Sequence, residues 1–376
     1  MKLIRTSTIP ASLNTFCRGF LRELSEQGYE VVAISSPGDD LDRIAEREGV
    51  PTIAVPMERH IAPFADLRSL IRLIKAFRRE RPDIVHSITP KAGLLSMLAA
   101  WICRVPVRIH TFTGLVFPTA TGLKQKILIF TDRITCAAAT HIIPEGQGVR
   151  DDLIKFRITR KPLRVLGHGN IRGIDLDHFD PALFEEEKHK ARPFTFIFIG
   201  RLVRDKGIVE LVDAFTRLNR ERPDTRLILV GPAEPDLDPL PPETLAALEA
   251  NQSIQAVGKQ TDVRPWLAAS DVLVLPSYRE GFPNVVIEAG AMGLPAVVTD
   301  INGSREIIID GRNGLIVAPH DADALHDAML RTVDHPEQTA QMAAAARPLI
   351  ASRFEQSYVR RCLKAYYREI APREAR

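Results

Sequence analysis

Short apolar runs alternate with longer helix-like segments along the whole chain, and this alternation restricts the fold more than any other feature. The strand-like runs of the first half lie at residues 2–5, 30–35, 52–55, 84–87, 108–111 and 141–144. Those of the second half lie at residues 194–199, 226–230, 254–257, 272–276, 296–299 and 314–317. Nearly continuous apolar strands separated by helices are typical of parallel sheets that helices cover on both faces. The sequence therefore predicts an α/β protein with two doubly wound, Rossmann-like domains facing each other across a cleft.

The length of the chain fits this division, because 376 residues make about two domains at roughly 100–200 residues each. The irregular, glycine-rich stretch 167–181 is the predicted boundary. We place the first domain at residues 1–167 and the second at residues 168–355. In doubly wound sheets ligands bind beyond the carboxyl ends of the strands. Candidate binding residues should therefore follow strands directly.

Charge is distributed unevenly between the two halves, although the net charge is only +3. Residues 1–170 carry 25 Lys and Arg against 16 Asp and Glu, a net charge of +9, and the remaining 206 residues carry a net charge of −6. A basic half favours an anionic partner such as a lipid surface, a diphosphate or a nucleic acid. A chance asymmetry on a solvated surface is the alternative.

The cysteines and the apolar segments indicate a cytosolic protein. No C-x-x-C pair occurs, which favours reduced and mostly buried thiols at Cys17, Cys103, Cys136 and Cys362. The sequence begins MKLIRTST, which lacks the long apolar stretch of a secretory signal. The most apolar uncharged run, residues 92–103, is shorter than the roughly 20 residues that span a bilayer, so we expect a buried helix there.

Two helical segments of the basic half carry apolar and basic residues together. In residues 67–81 the period predicts a helix with Leu67, Leu70, Ile71, Ile74 and Phe77 on one face, and Arg68, Arg72, Lys75 and Arg79 on the other. The stretch 123–130 with Arg133 could lie on a membrane surface. A core-facing helix explains its apolar residues equally well.

The strongest cluster of chemical signals lies at residues 271–300, with the sequence DVLVLPSYREGFPNVVIEAGAMGLPAVVTD. A buried strand runs into a turn, and a helix begins near Pro283 and Asn284, which are both favoured there. Free N–H groups at a helix start bind phosphate. Glu280 precedes this helix and Glu288 lies inside it, so both carboxylates can point at the hydroxyls of one ligand.

A second cluster, IGRLVRDKG at residues 199–207, follows another buried strand. It places Arg201 and Lys206 beyond the strand end, between Gly200 and Gly207. Two cations with glycines that permit close backbone approach suit a diphosphate. Loop cations are common, so this signal becomes specific only together with the two glutamates.

The two clusters resemble the hallmark of glycosyltransferase family four, G-R-L-x-x-x-K-G followed by E-G-F-P-x-x-x-x-E. The resemblance covers essentially the whole chain, including GIDLDHF at 173–179 and the segments 257–277 and 299–325. The first half is similar to a narrower group that builds capsular, O-antigen or protein-linked glycans on polyprenyl diphosphate. The matching segments are TIPASL at 8–13, RPDIVHSITPKAG at 81–93 and TATGLKQKIL at 119–128.

The resemblance implies the GT-B fold and a retaining, metal-independent transfer from a nucleotide diphosphate sugar, with uridine diphosphate the first expectation and guanosine diphosphate mannose possible. Arg201 and Lys206 would neutralise the departing diphosphate, Glu288 would hold the ribose and Glu280 the donor sugar. No cofactor and no metal site are expected. The implied donor-binding residues are Gly200, Arg201, Lys206, Val257, Gly258, Glu280, Gly281, Phe282, Pro283, Asn284, Val285 and Glu288.

The first half departs from the family pattern in three places. Its first strand is followed by Pro10, Ala11 and Ser12 where glycines are usual, and Ile88 replaces the second histidine two residues after His86. Thr113 occupies the position of a donor-contacting histidine, and His110 lies three residues earlier. The expected catalytic residues are thus Glu280, Arg201 and Lys206, with His110 or Thr113. The acceptor-binding candidates are Ser12, His86 and Lys91.

The resemblance further implies that the first domain binds the acceptor and the second the donor, and that a last helix at 356–376 crosses back to the first domain. We expect a polyprenyl-diphosphate-linked saccharide as acceptor, a peripheral position on the anionic inner face of the cytoplasmic membrane, and no nucleic acid. Two alternatives remain: another GT-B enzyme such as a nucleotide-sugar epimerase, and a non-catalytic binder of sugar nucleotides.

Overall fold

The computed structural model describes residues 1–58, 60, 62–188, 192–234 and 238–372. The chain divides into two units, Met1–Arg172 with the segment from Ser357 onwards, and Gly173–Gln356. The first passage between units thus falls a few residues later than the sequence indicated.

Backbone pairing explains where the second unit begins and ends. The N–H of Ile174 donates to the carbonyl of Phe354 at 2.8 Å, and the N–H of Gln356 donates to the carbonyl of Ile174 at 2.9 Å. The entering and leaving segments therefore lie side by side. Gly173 is at φ +68°, and a Cβ there would lie 2.6 Å from the Cα of Gln356, so this crossing requires glycine.

The first unit is built on a six-stranded parallel sheet in the order β3-β2-β1-β4-β5-β6. Its strands are β1 (Lys2–Thr6), β2 (Glu30–Ser35), β3 (Thr52–Ala54), β4 (Ile84–Ile88), β5 (Val107–Phe112) and β6 (His141–Pro144). The strand order reverses between β1 and β4, which makes their carboxyl ends a switch point where ligands bind in such folds.

The helices of this unit before its return segment are α1 (Pro10–Cys17), α2 (Phe20–Glu26), α3 (Asp39–Glu48), α4 (Pro63–Glu80), α5 (Pro90–Ile102), α6 (Gly122–Ala138) and α7 (Gln147–Lys155). Helix α5 is apolar on almost every side because it packs between α4 and α6 on one face of the sheet. The first three helices cover the opposite face. Both sheet faces are therefore buried, as the apolar strands predict.

The second unit repeats the architecture with the strand order β12-β11-β10-β7-β8-β9, again all parallel. Its strands are β7 (Phe194–Ile199), β8 (Thr225–Val230), β9 (Ile254–Gly258), β10 (Val272–Leu275), β11 (Ala296–Thr299) and β12 (Gly314–Val317). Its helices are α8 (Glu185–Lys188), α9 (Ile208–Glu221), α10 (Pro242–Ala250), α11 (Arg264–Ala268), α12 (Asn284–Ala291), α13 (Ser304–Ile307), α14 (Ala322–Asp334) and α15 (Pro336–Phe354). Here the order reverses between β7 and β10.

The last helix, α16 (Gln356–Ile370), packs on the first unit. Leu363, Tyr366 and Tyr367 are buried in the core that α1 to α3 share with the sheet. Lys364 forms an ion pair with Glu23 of α2. Residues 373–376 of the predicted C-terminal segment lie outside the described residues.

The predicted helix is present as α4, but its apolar face is only partly buried. The helix buries Ser69, Leu73, Ala76 and Phe77, whereas Leu67 and Ile71 are 56% and 45% exposed. The periodicity is real, but the buried stripe is rotated toward Leu73, so the predicted face lies partly outside it.

Candidate functional site

The two sequence clusters of the second half meet at the carboxyl edge of the second sheet. One follows β7 and the other follows β10, which are neighbouring strands. They are also the strands between which the strand order reverses. A crevice at such a switch point is the usual ligand site of a doubly wound sheet.

Two glycines let the loop after β7 pack against its neighbours. Gly231, at the end of β8, is so close that a Cβ would lie 1.8 Å from the carbonyl oxygen of Gly200. Gly207 has φ +70°, and a Cβ there would lie 2.1 Å from the carbonyl oxygen of Pro276, beyond β10. No other residue fits either position, so the loop that carries Arg201 and Lys206 is held directly against the end of β10.

This packing joins the two clusters through an ion pair. The Nζ of Lys206 lies 2.5 Å from Oε1 of Glu280, and each side chain is 16% exposed. The two residues are 74 positions apart in the chain. Both side chains are half-buried but still reach solvent. Lysine can therefore leave the carboxylate and bind a negatively charged ligand group, and the carboxylate can then accept hydrogen bonds from the ligand.

Arg201 has acidic partners as well. Its guanidinium donates to Oε2 of Glu234 at 2.9 Å and lies 3.9 Å from Oδ1 of Asp205. The hydrogen bond to Glu234 raises the pKa of Arg201, so this group stays charged at any working pH. Glu234 follows β8, outside both hallmarks, and sequence reasoning missed it. An acidic residue just after a strand at the same sheet edge is the signal that could have found it.

Helix α12 begins beside this ion pair. Its N-cap residue is Pro283, whose own side chain makes no capping hydrogen bond. The preceding loop is fixed because a Cβ on Gly303 would lie 2.5 Å from the carbonyl oxygen of Gly281. The half-buried residues Asn284 and Glu288 lie one turn apart on the same side of the helix. Val285 is half-buried as well, while Phe282 is buried.

A second layer of polar contacts supports the loop after β10. The hydroxyl of Tyr278 donates to the carboxylate of Glu210 at 2.6 Å, and its ring packs on that of His320 with centroids 3.7 Å apart. Burial and the Glu210 carboxylate raise the pKa of Tyr278. Arg279 donates to Asp205 at 3.3 Å. Sequence reasoning missed these residues, although Tyr278 and Arg279 directly precede Glu280.

The predicted base-binding residues Val257 and Gly258 end β9, at the same sheet edge but two strands from β7. The carbonyl of Gly258 accepts the N–H of Gly231 at 2.9 Å. Gly258 has φ +67° and open space where a Cβ would be. The structure therefore links these residues to the β7 loop through β8 rather than by direct contact.

In the first unit, the loops after β1 and β4 are pinned together. The hydroxyls of Thr8 and Thr89 lie 2.8 Å apart, and the N–H of Ala92 donates to Thr8 Oγ1 at 3.2 Å. The acceptor candidates Ser12 and Lys91 lie in the first turns of α1 and α5, next to these threonines. The N–H of Ser12 donates to the carbonyl of Ile9 at 3.1 Å.

Lys91 is engaged rather than free. Its Nζ lies 2.5 Å from Oδ2 of Asp66 and donates to the carbonyl of His60 at 2.8 Å. Its side chain is only 12% exposed. Lys91 thus joins the start of α5 to the first turn of α4.

His86 lies in the core. Its Nδ1 is 2.6 Å from the hydroxyl of Tyr367, its Nε2 is 2.7 Å from Oγ1 of Thr111, and Arg5 contacts the same Nδ1. Burial, together with the Arg5 charge, holds the pKa of His86 well below its usual range. Both ring nitrogens are occupied by protein groups, so this histidine is neutral and closed to solvent.

His110 and Thr113 lie at the end of β5. His110 is buried, hydrogen-bonded to Oγ of Ser87 at 2.9 Å, and packed so tightly that a Cβ on Gly93 would lie 2.3 Å from its Cε1. Burial lowers the pKa of His110 to about 3. Thr113 lies beyond the strand and is half-buried. Of the two, Thr113 is the more accessible.

Comparisons with known proteins assign the chain to one family. The family model for glycosyl transferases group 1 matches residues 193–335, and that for the glycosyl transferase 4-like domain matches residues 13–169. A D-inositol 3-phosphate glycosyltransferase of Pseudarthrobacter chlorophenolicus is 34% identical over 368 residues, 89% of this chain and 84% of the relative. This chain belongs to the group 1 glycosyltransferases.

The glycosyltransferase is similar to other members along nearly its whole length. The capsular polysaccharide biosynthesis glycosyltransferase CapM of Staphylococcus aureus is 29% identical over 371 residues, 97% of this chain and 96% of the relative. The UDP-Gal:alpha-D-GlcNAc-diphosphoundecaprenol alpha-1,3-galactosyltransferase of Escherichia coli is 29% identical over 305 residues, 79% and 77% of the two chains. The family predicted from the two hallmarks is confirmed.

The fold class is confirmed as well. The structure of Anabaena HepE in complex with UDP matches the glycosyltransferase with a TM-score of 0.79, over 98% of this chain and 100% of that one, at 18% identity. Two parallel six-stranded sheets with helices on both faces are the GT-B class that the sequence predicts.

The described part of the glycosyltransferase has neither a metal-ligand cluster nor a membrane-spanning helix. No group of three or more His, Cys, Asp or Glu side chains among residues 1–58, 60, 62–188, 192–234 and 238–372 is arranged to hold a metal ion. Within the same residues, no helix is both long and apolar enough to cross a bilayer.

Proposed function

We propose that this glycosyltransferase moves a hexose or N-acetylhexosamine from a UDP-sugar to a lipid-diphosphate-linked saccharide, with retention of the anomeric configuration and without a metal. The observation that carries the proposal is the meeting of Lys206, Glu280 and the Arg201 loop at the end of β7 and β10. This arrangement offers two cations and the carboxylate of Glu280 to one ligand.

The cations suit the leaving group of such a reaction. When the bond to the donor sugar breaks, an additional negative charge develops on the terminal phosphate of the diphosphate, and fixed positive groups stabilise it. Arg201 and Lys206 supply two charges there, and the start of α12 supplies N–H groups and a favourable dipole. That positive charge is why we propose catalysis that needs no metal.

The carboxylates suit the neutral parts of the donor. Glu280 would accept hydrogen bonds from donor sugar hydroxyls once the diphosphate takes over Lys206, and Glu288 would accept from the ribose. Uridine is the proposed base because the matching HepE structure contains UDP and the Escherichia coli relative uses UDP-Gal by its name. We propose that the other predicted donor-binding residues also contact the donor, as the sequence resemblance implies.

The acceptor proposal rests on relatives and on charge. The Escherichia coli relative transfers to a diphosphoundecaprenol-linked sugar by its name, and CapM serves capsular polysaccharide biosynthesis by its name. The basic first half, with Lys91, Ser12 and Thr113 near strand ends, suits an anionic acceptor of this kind. We therefore propose assembly of a surface polysaccharide at the inner face of the cytoplasmic membrane, by a peripheral enzyme.

The test is a transfer assay with the purified chain, EDTA, a panel of labelled nucleotide sugars, and a sugar-diphospho-polyprenol acceptor. We expect transfer from one UDP-sugar, with a product of the donor's anomeric configuration by NMR. Isomerisation of a nucleotide sugar without acceptor would favour the epimerase alternative. Binding of a nucleotide sugar without turnover on any acceptor would favour the non-catalytic binder.

A further inference from the structure

Six large apolar side chains of the first unit lie in solvent on two helices of the same layer. On α4 they recur at three- and four-residue spacing, and on α6 they do the same, so each helix presents one apolar stripe outward. They are Phe64, Leu67, Ile71, Leu123, Ile127 and Phe130, with exposed fractions from 37% to 85%. Helix α5 packs between the two helices, so both stripes face away from the same side of the sheet.

Basic residues flank both stripes and lack acidic partners. On α4 these are Arg68, Arg72 and Lys75, and on α6 they are Lys124 and Lys126, all exposed. None of the five lies within 4.0 Å of a carboxylate oxygen among the described residues. The set of six apolar and five basic side chains is the apolar–basic face.

The acidic residues of the two helices do not oppose this charge. Asp66 is paired with Lys91 at 2.5 Å, and Glu80 is paired with Lys2 at 2.8 Å. Asp132 is half-buried, and burial raises its pKa to about 7. The outward surface is therefore positive as well as apolar.

From this surface we infer that the apolar–basic face docks on an anionic lipid bilayer. Exposed apolar area of this extent is unusual unless something covers it. Apolar side chains bordered by Lys and Arg match a bilayer interface, where acyl chains accept the former and anionic headgroups the latter. A second copy of this chain would bring the same positive charges together, which argues against self-association.

The apolar–basic face extends to the carboxyl edge of the first sheet, where the acceptor candidates lie. Phe64, Lys91 and Leu123 are the second residues of α4, α5 and α6, so these helix starts share the carboxyl edge of the sheet. The Lys91–Asp66 pair ties that edge to the apolar stripe of α4. The inference thus deepens the proposed function and rests on it, because a docked face brings the loops after β1 and β4 to the headgroup of a lipid-linked acceptor.

The test is sedimentation of the full chain with vesicles of phosphatidylcholine alone or mixed with phosphatidylglycerol, at low and high salt. We expect the wild type to bind the mixed vesicles and to lose much of that binding at high salt. The triple variant Phe64→Ser, Leu123→Ser, Phe130→Ser should bind them at least about tenfold more weakly. Lys124→Glu with Lys126→Glu should lose the preference for phosphatidylglycerol.

The matched control is Ile154→Ser, which removes a side chain of the same unit that is 51% exposed but lies on α7. It should bind as the wild type does. Thermal unfolding and binding of UDP check that every variant is folded. The inference is overturned if the triple variant binds vesicles as the wild type does, or if the wild type binds neither kind of vesicle. It is also overturned if the wild type binds no vesicles but forms a dimer, and the triple variant is a monomer.

Transfer to a short-chain, water-soluble acceptor separates the two proposals. A triple variant that keeps this transfer and loses vesicle binding supports docking. A wild type that transfers to the soluble acceptor without binding vesicles removes the docking inference alone. A wild type that binds vesicles as described but transfers to no acceptor removes the proposed function alone.

Discussion

Toward the carboxyl edges of the two sheets, the Lys206–Glu280 pair of the second unit and the predicted histidines of the first unit differ in character. In the second unit, Lys206 and Glu280 form a charged pair that is partly open to solvent. In the first unit, His86 and His110 are buried, neutral and hydrogen-bonded by neutral side chains or by the single charge of Arg5. Charged groups near the surface can change hydrogen-bond partners when a ligand binds. A buried imidazole whose ring nitrogens are hydrogen-bonded to protein groups cannot contact a ligand unless the core opens. His86 and His110 therefore belong to the polar core of the first unit, whereas Lys206 and Glu280 are placed to bind a ligand.

The largest expected effect comes from removing charge from the second edge. We predict that Lys206→Ala and Glu288→Ala each lower kcat/KM for the donor by about a hundred- to a thousandfold, because each deletes a charged contact to the donor. The matched control is Arg222→Ala, which breaks an exposed ion pair with Asp334 elsewhere in the unit and should leave turnover unchanged. Turnover at the wild-type rate in either site variant would remove that residue from the site.

A steric test addresses the first edge. A Cβ on Gly93 meets the His110 ring, so Gly93→Ala should destabilise the protein by about 1–3 kcal/mol in chemical denaturation. In a His110→Ala background the same change should be neutral or stabilising, since the clash is gone and alanine favours helix over glycine. An equal cost in both backgrounds would mean that His110 does not occupy this position, and the comparison of the two edges would fail there.

Much of this architecture follows from the sequence, and the reasons are local. The ends of the strands are predicted to within a residue or two. A short apolar run between two helices is most stable as a buried strand of a parallel sheet. The Lys206–Glu280 contact does not follow in this way: the sequence places each residue after a strand, but only the structure shows that β7 and β10 are neighbours. The exposure of Leu67 does not follow, because periodicity defines a helix face but not which face the sheet covers. The Arg201–Glu234 pair depends on a loop conformation that no pattern specifies.

A pH-dependent test addresses the buried polar groups of the first unit. Burial raises the pKa of Asp132 to about 7 from an ordinary 3.8. The folded state then binds more protons than the unfolded state between these values, so this carboxyl costs stability as the pH rises through that window. Asp132→Asn should raise the free energy of unfolding by about 1–3 kcal/mol at pH 8 and change it little at pH 4. Thermal unfolding across this range checks it, and the same gain at both pH values would show that desolvation of the charge is not the cause.

The smallest expected effect tests whether Arg201 changes partner when a ligand binds. Glu234 must release Arg201 before a diphosphate can take its place. Glu234→Gln removes the competing charge, so UDP should bind about two- to fivefold more tightly by calorimetry. Glu243→Gln, on α10, is the control and should leave UDP affinity unchanged. Weaker UDP binding by the Glu234 variant would mean that this carboxylate helps to hold the ligand.

The most direct measurement is the melting temperature of the wild type and of Lys206→Ala with UDP and other nucleoside diphosphates, all in EDTA. A ligand that binds only the native state raises the melting temperature by mass action. We expect UDP to raise the melting temperature by several degrees in the wild type and much less in Lys206→Ala. The reason is that Lys206, on the loop after β7, would bind the diphosphate next to the loop after β10. Equal shifts in the two proteins, or no shift with any nucleoside diphosphate, would contradict a donor site at the ends of β7 and β10.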